Sequence, residues 1–125
     1  MVNIPQGGTI RNRIEWTSYY SGGGTWYLHT FYGQVVASEF NIYWNDSIAF
    51  INHPEMNHIS NINITVDIDA PAGIYDAWTV MSTENNPGLV GTHDDILADK
   101  YDAGVLRIVP LLLATIDSTE FSQVI

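Results

Sequence analysis

NINITVDIDAPAGIYDAWTVMS, residues 61–82, sets Ile62, Ile64, Val66 and Ile68 in alternation with Asn61, Asn63, Thr65, Asp67 and Asp69. A period of two puts successive side chains on opposite faces of an extended chain, so this run reads as a strand with one dry and one wet face. Ala70-Pro71-Ala72-Gly73 interrupts the pattern, and residues 74–82 resume it. Two such runs joined by a short break predict a half-buried antiparallel sheet.

The same signals recur on both sides. Residues 9–19 alternate Ile10, Ile14 and Trp16 with Arg11, Arg13 and Glu15, and Ser21-Gly22-Gly23-Gly24 supplies a flexible turn. Residues 25–36 are rich in aromatic and β-branched types. Phe40, Ile42 and Trp44 are expected on one face of a third strand that Asn45-Asp46 ends, with a short apolar run at 47–51. Asn85-Asn86-Pro87-Gly88 marks a loop, residues 94–100 allow one short helical turn, and residues 103–116 close the set. Short extended segments at regular spacing predict an all-β chain: a single antiparallel β-sandwich of about seven to nine strands over residues 1–116, with a tail at 117–125.

Composition narrows the function. Only 14% of the 125 residues are charged, against roughly a quarter in a typical domain. The net charge of −10 arises because the basic residues are just Arg11, Arg13, Lys100 and Arg107. So few cations cannot neutralise a run of phosphates, which argues against nucleic acid, and an anionic membrane surface is disfavoured for the same reason. There is no cysteine, which excludes disulfides and thiolate metal sites. The first residues lack the pattern of an export signal, and the longest apolar run, 108–116, is broken by Pro110. The expectation is a chain made in the cytoplasm, or else one cut from a larger surface protein.

Asp69-Ala70-Pro71-Ala72-Gly73-Ile74-Tyr75 resembles the corner between the fifth and sixth strands of immunoglobulin-like sandwiches. The form PAG-x-Y without a disulfide is similar to immunoglobulin-like modules of bacterial, archaeal and phage proteins. The resemblance implies that Tyr75 points inward, that its hydroxyl bonds back to the corner, and that Asp69 and Gly73 shape the turn. A positive φ is expected at Gly73. A shared fold does not carry function.

Binding residues are sought among the aromatics, most of which lie between Trp16 and Trp44. On the strand at 25–32, Trp26, Leu28 and Tyr32 share one face and Tyr27, His29 and Phe31 the other. Both faces are thus aromatic. Trp26, Tyr27, Tyr32, Tyr43, Trp44 and the outward Trp78 are the candidates for an exposed surface that meets a partner protein or a sugar ring. The competing expectation is that they fill the core. Asp67, Asp69, the carboxylates of His93-Asp94-Asp95, Asp99 and Asp102 offer oxygens to calcium, but no calcium-loop motif joins them, so they are read as solvated, with no metal and no cofactor. His29, His53, His58 and His93 lack metal-binding spacing, and no nucleophile-elbow, phosphate-loop or dinucleotide motif is present. No catalytic residue is assigned. The expected function is therefore a non-catalytic structural or adhesive module of a larger assembly, such as a phage or virus particle, with self-association through the C-terminal segment. The alternative is a carbohydrate-binding module using the aromatics of residues 16–44, which a glycan array would reveal.

Overall fold

Burial along the chain follows residue type in the computed structural model, which describes residues 1–85 and 96–124. The sequence expectations for Asn86-Pro87-Gly88, His93, Asp94, Asp95 and Ile125 lie outside the described residues. Among those described, all regular structure is strand: β1 (Val2–Pro5), β2 (Thr9–Thr17), β3 (Trp26–Val36), β4 (Glu39–Phe50), β5 (Asn57–Thr65), β6 (Gly73–Ser82) and β7 (Ile96–Val109). β5 buries Ser60, Ile62 and Ile64 and exposes Asn61, Asn63 and Thr65, as a period of two requires. Ile68 does not extend that dry face. The chain turns first, with the Ala70 amide donating to the Asp67 carbonyl at 3.0 Å, and Ile68 is left exposed.

The strands form two sheets, one of five in the order β1-β7-β6-β3-β4 and one of two, β2-β5. They face each other across one apolar core. Ile10 and Ile14 of β2, Ile62 and Ile64 of β5, and Val66 meet Leu28 and Tyr32 of β3, Tyr75, Ala77 and Met81 of β6, and Leu106 and Ile108 of β7. The expectation of purely antiparallel pairing needs correction. β1 runs parallel to β7, Val2 opposite Leu106 through Pro5 opposite Val109. β1 leads through Gln6-Gly7-Gly8 into the other sheet instead of turning back on β7, so no hairpin fixes its direction. Pro5 closes the strand, where its missing N–H is tolerated.

Two irregularities reorient side chains. On β4 the partners shift from Tyr32–Trp44 to Gly33–Ile42, leaving Tyr43 as the extra residue of a β-bulge. Phe40, Ile42 and Trp44 therefore do not share a face as expected. Trp44 packs inward on Tyr75 with ring centroids 4.8 Å apart, while Phe40 lies edge-on to Tyr101 at 5.6 Å on the outer side. Nor do Asn45 and Asp46 end the strand, because both hold ladder positions, opposite Phe31 and Thr30. On β7 a second irregularity opposes residues 103–105 to Asp76, whose carboxylate accepts the Gly104 amide at 2.8 Å and the Tyr101 hydroxyl. Residues 96–100 belong to this strand and not to a helical turn.

The corner between β5 and β6 is tied at several points. Tyr75 is fully buried and its hydroxyl donates to the Pro71 carbonyl. Gln6 Nε2 donates to the Ala70 carbonyl at 2.7 Å, and Gln34 Nε2 to that of Ile74 at 3.1 Å. Gly73 has φ of 152°, which side chains rarely adopt, and Asp69 is exposed on the turn.

Candidate functional site

β3 is flanked on both sides, by β4 and β6, so its two faces are spent differently. Tyr32 is buried in the core, and Trp26 and Trp44 pack against it from the inner side. Tyr43 is exposed and lies edge-on to Tyr75 at 5.2 Å. Tyr27 and Trp78 are on the outer face, where Trp78 stacks on Phe31 at 5.5 Å and donates its indole N–H to Asp99 at 2.9 Å. The six aromatics singled out by sequence thus do not make one surface.

The outer face also holds His29, buried, stacked on Phe31 at 5.5 Å, with its Nε2 lacking a hydrogen-bond partner among the described residues. Burial holds its pKa below the ordinary histidine value, against a smaller opposing effect of a hydrogen bond with the Glu84 backbone. A buried neutral histidine takes up a proton more readily once unfolded. Its contribution to stability is therefore present above the unfolded value, about 6.5, and is lost as pH falls from there toward the lowered folded value. The urea midpoint is expected to drop between about pH 7 and about pH 5, and less steeply in His29→Phe. Identical pH profiles for the two proteins would show that His29 does not carry the effect.

A different feature follows from the unequal sheets. Asn12 Nδ2 bonds Thr30 at 3.1 Å and Thr79 at 3.2 Å, which sets β2 over β3 and β6, while β5 touches β4. Neighbouring strands are only about 4.8 Å apart, so a pair cannot cover a five-stranded face. At one end the β5–β6 corner and residues 6–8 close the gap, and Leu106 and Ile108 are buried. At the other end, among the described residues, the inner side of β7 stays open. Among the described residues a groove of about 900 Å³ results, between the edge of β2 away from β5 (residues 12–17) and Leu97, Ala98, Lys100 and Asp102 of β7. Leu28, Thr79 and Met81 line it from the larger sheet, Trp16 and Trp26 from its end, and Tyr19 and Tyr20 from its mouth.

The end of the groove is rigidly built. Trp16 stacks on His58 at 4.0 Å and donates to Ser60 Oγ at 3.0 Å. Trp26 stacks on the buried His53 at 3.8 Å. His53 Nδ1 lies 2.6 Å from the Tyr20 carbonyl and Nε2 3.0 Å from that of Gly24, and Ser18 Oγ donates to the His53 carbonyl at 2.8 Å. These contacts pin the glycine-rich turn, which the sequence presents only as flexible. No sequence signal marks His53 for this role, since its partners are backbone carbonyls.

On the rim Arg13 pairs with Glu15 at 3.0 Å and Lys100 with Asp102 at 3.6 Å, while Asp99 accepts the Trp78 indole N–H. Asp67 and Asp69 are exposed, and no group of three or more metal-binding side chains occurs among the described residues. Chemically, the groove offers apolar side chains beside a free strand edge, which suits an extended peptide segment. Comparison with family models, curated proteins and solved structures finds no match to the chain.

Proposed function

We propose that the chain is a non-catalytic structural or adhesive module of a larger assembly, with an immunoglobulin-like sandwich as its scaffold and a phage or virus particle as its setting. The order β7-β6-β3-β4 against β2-β5 supports the fold reading, because it matches the G-F-C-C′ and B-E strands of that architecture. The Tyr75–Pro71 bond supports it at the corner.

The observation that carries the functional reading is the C-terminal segment. β7 ends at Val109, and residues 110–124 lie beyond both sheets with Leu112 76%, Ile116 86% and Phe121 90% exposed. Apolar area of this extent in water is unfavourable, and contact with another chain removes it. Trp16, Tyr19, Tyr20 and Trp26 share the groove, so a sugar ring is the alternative occupant, which a glycan array tests. Light scattering across the micromolar range is expected to give a mass above the 14.0 kDa of one chain. A strict monomer at high micromolar concentration would overturn self-assembly as the mode of action.

A further inference from the structure

We propose that residues 110–116 of one copy enter the groove of a second copy and pair along the free edge of β2, adding a third strand to its two-stranded sheet. This rests on the assembly reading above and names the surface it uses. Among the described residues β2 pairs with β5 alone, so its other edge presents unpaired backbone donors and acceptors. The groove follows six residues of β2, 12–17, and the apolar run 111–116 is also six residues long. In a strand, Leu111, Leu113 and Thr115 share one face and Leu112, Ala114 and Ile116 the other. Either face brings two large aliphatic side chains onto Leu28, Met81 and Trp16. The incoming run has no charge, and on the rim Arg13 pairs with Glu15 and Lys100 with Asp102, so docking need not break either ion pair.

A second copy suits the groove better than the chain's own tail. Val109 lies opposite Pro5, at the closed end, whereas the groove is bordered by the start of β7. To reach its own groove the tail has to reverse at once. Pro110-Leu111-Leu112-Leu113 contains no Gly, Asn or Asp to take the positive φ that a type II or primed turn requires. The Leu111 amide is instead held by Gln6 Oε1 at 3.2 Å, which sends the segment outward.

The chain has no cysteine, so introduced thiols report contacts without background. Glu15→Cys and Leu113→Cys, both at exposed positions, are made as separate full-length proteins, mixed, oxidised and resolved by mass. The mixed disulfide is expected at least ~10-fold more often than with Ser38→Cys as the partner, because docking raises the local concentration. No enrichment overturns the proposal. So does a doubly substituted chain that closes only on itself, since the groove then takes its own tail. If light scattering shows an assembly without the enriched disulfide, the assembly reading stands and this docking mode falls. A monomer removes both.

Discussion

Tyr75→Ala is expected to lower stability by about 4 kcal/mol, as removal of a fully buried aromatic side chain does when its surroundings cannot collapse into the space. Tyr75 is 0% exposed and sits among Trp44, Tyr43 and the core residues of both sheets. Two consequences add. The ring leaves a cavity under the β5–β6 corner, and the Pro71 carbonyl loses its donor. The hydroxyl remains a donor throughout the neutral range, because burial and then the nearby Tyr43 raise its pKa. Tyr75→Phe isolates the second effect and is expected to cost only about 1 kcal/mol. Urea denaturation of both variants separates packing from the hydrogen bond. Midpoints unchanged in both would mean that the corner does not hold the sheets together. If Tyr75→Ala is too unstable to measure, Tyr75→Leu retains part of the volume and should fall between the two.

What the sequence makes legible is strand content and local turns. The alternation in residues 61–66 specifies β5 and its buried face because only one register puts those isoleucines in the core. The corner is legible because a break of Pro and Gly before Tyr is a local signal. β1 is not, since four residues ending in proline give no periodicity to read. The face of Trp44 is not legible either. A period-2 reading carries across residues 40–44 only if no residue is inserted, and the bulge at Tyr43 inserts one. The site is harder still. Its groove exists because five strands face two, a fact of long-range pairing that no segment states. Aromatic residue type draws attention to Tyr32 and Trp26, but the central place of β3 commits them to the core or its margin. The start of the exposed tail is not legible either, because the leucines after Pro110 read as part of the closing segment, whereas β7 ends at Val109.

Gly33→Val is the second large effect, expected to exceed about 3 kcal/mol, at the upper end for overpacking a buried position. A Cβ on residue 33 would stand 2.1 Å from the Asn41 carbonyl oxygen and 2.9 Å from its carbon. Both are backbone atoms of the neighbouring strand, so the clash cannot be relieved by rotating a side chain. Either β4 moves away, breaking the ladder, or the bulge straightens and shifts register. The second route turns Phe40 and Ile42 inward or Trp44 outward, taking Trp44 off Tyr75. Gly73→Val calibrates the strain. There the nearest atom is the movable end of Gln34 at 3.4 Å, and the cost is that of an unfavourable φ alone, about 1–3 kcal/mol. Gly23→Ala, with nothing within 4 Å, should stay within about 0.5 kcal/mol. Urea midpoints for the three variants should rank in that order, with Gly33→Val lowest. A Gly33→Val protein as stable as the parent would mean that β4 slides past β3 at little cost, and the inward placement of Trp44 would fall with it.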